Sequence, residues 1–186
     1  EYAKKAMLLN SNSSLLLANI GVACEAMNEP QQAIDYYQRA IKLNPSEQIA
    51  QINISGILVK SKQIDAAIQH VQQALSFLPK TIELYNNLIE AYLQNISFDE
   101  ASIICEKALI INPKCAEILF KKGLILAYLC RFDESQKALD LAQSLDVELV
   151  GKHYPHLLNH SNFVDVRVDA RQIFLDLSAH LMSRCC

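Results

Sequence analysis

A fixed interval constrains this chain more than any single residue does. The stretch "RAIKLNP" (39–45) returns as "QALSFLP" (73–79) and "KALIINP" (107–113), so Pro45, Pro79 and Pro113 stand 34 residues apart, and Ala40, Ala74 and Ala108 keep the same step. The step extends back to Ala6 and forward to Ala142. A chain of 186 residues would ordinarily make one or two globular domains, but units that repeat at such a period stack on their neighbours instead of gathering round one centre. The expectation is one continuous solenoid.

Each period carries two helical patterns. In the unit starting at residue 14, Leu17, Ile20, Gly21 and Cys24 share one helix face, and Ala33, Tyr37 and Ala40 share a face of a second helix. Between them, "AMNEP" (26–30) offers Asn28 for a strained turn position and Pro30 to start the next helix, while "NP" at 44–45 ends that helix. The same positions hold Ile54, Leu58, Ala67, Val71 and Ala74 in the second unit, and Tyr85, Leu88, Tyr92, Ala101, Cys105 and Ala108 in the third. Leu119, Gly123, Leu126, Leu139 and Ala142 form a looser fourth.

Two helices approach closely only where side chains are small, so Gly21, Gly123 and the alanines are expected at crossing points, with large residues filling the grooves beside them. Period, small-residue positions and prolines together resemble the tetratricopeptide repeat. The resemblance implies an all-α fold, a right-handed superhelical solenoid of helix-turn-helix repeats. Its expected divisions are a truncated second helix at 1–12, repeats at 14–47, 48–81 and 82–115, a degenerate repeat at 116–149, and a linker with a capping helix at 150–186. Departures occur at Ser55 and Ile89 in the first-helix crossings, at Ser135 in a second-helix crossing, and at Val147 in place of the fourth proline.

Charge and motifs exclude several function classes. The 17 basic and 20 acidic residues are interspersed, with a net charge of -3, which disfavours nucleic acid and anionic membrane as partners. The longest apolar run, "LILAYLC" (124–130), is far short of the roughly 20 residues of a bilayer span. The first residue is not methionine and the last two are cysteines, so the chain reads as part of something longer. His153, His156, His160, His180, Cys185 and Cys186 have no recognised zinc spacing, and the expectation is no metal and no cofactor. Cys24 and Cys105 sit where small apolar residues pack. Thiols without an evident pairing point to a reducing, cytoplasmic setting. With four glycines, no Gly-rich loop and no nucleophile motif, this stretch is not expected to be an enzyme.

What remains is surface. In tetratricopeptide superhelices the first helix of each pair faces an inner groove that takes an extended peptide or a partner's helix. By that resemblance the groove positions include Leu15, Ala18, Asn19, Val22 and Glu25, then Ile49, Ile52, Asn53, Gly56 and Lys60, then Glu83, Asn86, Asn87, Glu90 and Gln94, then Glu117, Phe120, Lys121, Leu124 and Tyr128. Asn19, Asn53 and Asn87 recur at the 34-residue step, and Lys121 breaks the series. Such a ladder could hydrogen-bond the backbone of an extended peptide, and the expectation is that all three amides face water in the free protein. It is similar to that of the superhelix preceding the catalytic domain of O-linked N-acetylglucosamine transferases, whose last partial repeat resembles Ala179, His180 and Cys186 here. Two functional readings follow: a protein- or peptide-binding scaffold, or the substrate-recruiting arm of such a glycosyltransferase with its catalytic domain beyond residue 186. Exposed end helices are further candidates for self-association.

Overall fold

The computed structural model describes residues 13–149, and among them there is no strand. The expected truncated helix at 1–12 and the linker and cap at 150–186 lie outside the described residues, as do the histidines from His153 on. Eight described helices follow in order: α1 (Ser14–Ala26), α2 (Pro30–Leu43), α3 (Gln48–Lys60), α4 (Ile64–Phe77), α5 (Ile82–Gln94), α6 (Phe98–Ile111), α7 (Ala116–Tyr128) and α8 (Phe132–Leu145). They belong to two compact units divided between Asn95 and Ile96, the first containing α1 to α5 and the second α6 to α8. No described helix is long and apolar enough to cross a membrane.

Turn chemistry sets the helix boundaries. Asn28, Lys62, Ile96 and Cys130, each 34 residues from the last, have φ of 60°, 59°, 58° and 58°, the left-handed conformation that closes a helix C-terminus. The following N–H turns back onto the helix: Glu29 to the Cys24 carbonyl, Gln63 to Leu58 and Arg131 to Leu126, each at 2.9 Å. Asparagine tolerates this conformation, whereas a β-branched side chain crowds its own backbone. Ile96 is 61% exposed, so its side chain contributes little packing in return. Ile96→Gly is therefore expected to raise stability by about 1 kcal/mol, measured as an upward shift of the urea midpoint with an unchanged slope; a downward shift would refute the strain.

The second helix of each pair ends differently. Asn44, Leu78, Asn112 and Asp146 leave the helix with φ between −150° and −127°. The first three precede a proline, which forces that extended geometry. Asp146 adopts it before Val147, and its carboxylate accepts from the Leu149 N–H at 2.9 Å, a local bond standing in for the missing ring.

In the first unit, α1 packs on α2, α2 on α3, α3 on α4 and α4 on α5, and the alternate helices α1, α3 and α5 also touch in sequence. Its main cluster joins Leu17, Ile20, Cys24, Tyr37 and Ile54 through Ala33, Ala40 and Ala50. Gly21 is the closest approach: a Cβ built there would lie 2.4 Å from the Tyr37 ring. In the second unit α7 packs on α6 and on α8. Gly123 faces Leu139 in the same way, at 2.6 Å, and Ser135 donates to the Gly123 carbonyl at 2.7 Å. That bond satisfies the hydroxyl where the repeat pattern wants alanine. Ala40, Ala74, Ala108 and Ala142 are all fully buried.

Candidate protein-interaction face

The first unit brings the outer faces of α1, α3 and α5 together, since these helices pack side by side. On α1, Leu15, Asn19 and Val22 lie along one face; Leu15 is 52% exposed, Val22 43%, and Asn19 is also exposed. One repeat on, Ile49, Asn53 and Gly56 are half-buried, and on α5 Glu83 is exposed while Asn87 and Glu90 are half-buried. Lys60 is exposed at the end of α3. Asn86 is half-buried on α5.

The three asparagines do not behave alike, which corrects the expectation that all face water. The Asn53 amide donates to the Tyr37 hydroxyl at 3.0 Å, and that hydroxyl donates in turn to the Glu25 carboxylate. Asn53 thus completes a chain of bonds from α1 through α2 to α3. Burial, together with the bond to Glu25, pushes the Tyr37 hydroxyl well above the ordinary tyrosine pKa, so it stays a protonated donor. Asn87 donates to the Ile52 carbonyl at 3.1 Å and to the Ser55 hydroxyl at 2.6 Å; Ser55 passes its own proton back to the Ile52 carbonyl at 2.7 Å.

Repeat substitutions explain the two arrangements. The residue 16 positions before Asn53 is Tyr37, but 16 before Asn87 stands Val71, which has no hydroxyl. Ser55 occupies the place of Gly21 one repeat later and supplies the missing one. In both cases the donor amide is half-buried and finds an acceptor in the preceding repeat, as a half-buried polar group must. Asn19 is the exposed member of the series.

Elsewhere the expected groove positions divide sharply. Ala18 is fully buried. Phe120 is only 3% exposed and belongs to the core of the second unit with Leu119, Ala127, Leu139 and Ala142; the expectation that it faces a ligand is corrected, because its ring is already covered. Tyr128 stacks on Phe98, with ring centroids 4.3 Å apart and planes 15° from parallel. Lys121 is half-buried and lies 3.5 Å from Glu117.

Helix pairs that recur every 34 residues, with small residues at the crossings and left-handed turns at one fixed position, now meet the comparison with known proteins. The tetratricopeptide repeat pattern matches residues 14–47 and again residues 58–119. The chain belongs to the tetratricopeptide repeat family. No curated protein matches it by sequence. Among solved structures, YrrB, described as a tetratricopeptide repeat protein with an unusual peptide-binding site, is similar at a TM-score of 0.68 and 19% identity, covering 100% of this chain and 99% of its own. Pseudomonas aeruginosa pilF matches at a TM-score of 0.70 and 18% identity, over 96% of this chain and 86% of that one. MamA matches at 0.69 and 20%, over 80% of this chain and 86% of that one. At these identities the likeness establishes the fold.

No group of three or more potential metal ligands occurs among the described residues of this tetratricopeptide chain. The buried Cys105 thiol is pushed up to about 12 by burial, and burial raises Cys24 as well, so neither offers a thiolate near neutral pH. The polar bonds between repeats were missed in reading the sequence. Their signal was present as a hydroxyl at Tyr37 or Ser55 that alternates from repeat to repeat with its partner asparagine.

Proposed function

We propose that this chain is a protein-binding scaffold that takes an extended segment across the faces of α1, α3 and α5. The observation that carries it is the open apolar pair Leu15 and Val22 flanking exposed Asn19 on α1, continued on α3 and α5 by half-buried residues that are still in reach of a ligand. Asn19 supplies a donor and an acceptor for a peptide backbone, and Leu15 and Val22 supply the apolar area that gives affinity. Asn53 and Asn87 serve the scaffold: their amides fix one repeat on the next and so set the spacing of that face. The peptide-binding site named for YrrB supports the same class of partner.

The glycosyltransferase-arm reading drew on a ladder of three water-facing asparagines and on Ala179, His180 and Cys186. Two of those amides are bonded within the protein, and the last three residues lie outside the described residues. The binding-scaffold reading is therefore the one advanced.

Its test uses peptides selected from a random twelve-residue display library on the full chain. Val22→Glu, which places a charge in the apolar contact, is expected to weaken the selected peptides by at least about tenfold, since losing one buried aliphatic contact is worth about 1.5 kcal/mol or more. Melting should be unchanged, because Val22 is exposed. A library that yields no binder, or binders indifferent to Val22→Glu, would remove the assignment.

A further inference from the structure

A cleft of about 620 Å³ lies between α2 and α4, away from the residues assigned above to peptide binding. Its apolar surface comes from Ile34 and Ile41 on α2 and from Ile54 and Leu58 on α3. The exposed amides of Gln38 and Gln69 stand at its rim, with Lys42 beside them and no carboxylate among the lining residues.

One polar atom in this lining is unexplained by the fold. His70 Nε2 is enclosed and has no hydrogen-bond partner. The backbone carbonyl of Gln51 takes up the ring's other polar edge, and burial lowers the ring's pKa, favouring the neutral imidazole. A neutral imidazole whose one N–H is directed to a carbonyl presents its second nitrogen as an acceptor. A buried acceptor left empty is costly, and native proteins rarely retain one without a use.

Apolar walls, one acceptor and an amide rim together describe a ligand with an apolar body and a donor at its tip. We propose that the α2–α4 cleft is a second docking site, one that takes a tyrosine or tryptophan side chain of a peptide segment, its hydroxyl or indole N–H donating to His70 Nε2. Both side chains combine a large apolar body with a donor. The rim glutamines meet the flanking peptide backbone, and Lys42 favours a neutral or acidic segment over a basic one. The site is independent of the α1–α3–α5 face.

The test uses N-acetyltryptophanamide, N-acetyltyrosinamide and N-acetylphenylalaninamide as probes, titrated into isotope-labelled protein and followed by NMR. The first two are expected to shift the amide signals of Ile54 and Gln69 and the Nε2 resonance of His70. Both should bind about threefold to tenfold tighter than the phenylalanine analogue, the ratio that one neutral hydrogen bond supplies. In His70→Phe, whose fold is checked by circular dichroism, that preference should fall to about one. Val22→Glu should change nothing here. Equal affinity of the three probes for the wild-type protein, no binding, or shifts confined to Leu15 and Val22 would overturn the proposal without touching the scaffold reading. The wild-type titration decides this even where His70→Phe does not fold.

Discussion

Tyr37→Ala is expected to remove about 3–5 kcal/mol of stability, the range for deleting a buried aromatic ring. No larger side chain in the first unit is so completely enclosed: Tyr37 is fully buried among Leu17, Ile20, Cys24 and Ile54. The ring fills the notch opposite Gly21, so its loss leaves a cavity that the helix backbone of α1 cannot collapse into without breaking its own register. Tyr37→Phe separates ring from hydroxyl. It keeps the packing and strands the Asn53 amide and the Glu25 carboxylate, for a cost of about 1–3 kcal/mol. Urea denaturation of both variants checks this, and a phenylalanine variant as damaged as the alanine one would show that the hydroxyl chain, and not the ring, holds the first two repeats together. The further substitution Asn53→Ala should matter less in the Tyr37→Phe background than in the wild type, since the bond it deletes is already gone.

The second large effect is a contrast among glycines. Gly21→Ala is expected to cost about 1–3 kcal/mol, because the added methyl would sit 2.4 Å from a ring atom of Tyr37, and overpacking a filled site strains both partners. Tyr37 is not a flexible end that can swing away: its ring is walled in and its hydroxyl is tied at both sides. Gly56→Ala should do the reverse. It also lies inside a helix, but a methyl there meets only the Asn87 amide, at 3.8 Å, an ordinary contact. Removing a glycine from the helix interior then stabilises by about 0.5–1 kcal/mol. Opposite shifts of the two melting curves are the expected result, and a loss of stability at Gly56 comparable to that at Gly21 would contradict the packing described here.

These effects show where the chain's own pattern suffices. Gly21 and Gly56 stand 35 residues apart, one on the repeat's crossing position and the other one residue past it. The period alone marks the first as tight and the second as open. The turns were equally legible: Asn28 stands in a left-handed turn, and the prolines after Asn44, Leu78 and Asn112 hold those residues extended. Such features depend on a residue and its near neighbours along a helix or turn, and a repeated pattern states them several times over.

The direction taken by a polar side chain at the edge of a helix face was not legible in that way. Asn19, Asn53 and Asn87 have the same repeat position and helix face, yet one is open to solvent and two are bonded within the protein. The difference lies with acceptors on the preceding repeat, a tyrosine hydroxyl in one case and a serine hydroxyl with a backbone carbonyl in the other. Phe120 and His70 follow the same logic, the one covered by its neighbours in the second unit and the other enclosed between α4 and α3. The sequence by itself determined the period, the helix pairs, their turns and the small residues at their crossings, because local sterics fix those. Only the tertiary structure decided which polar groups are used internally and which remain for a ligand, because a half-buried amide turns to whatever acceptor the packed neighbour provides.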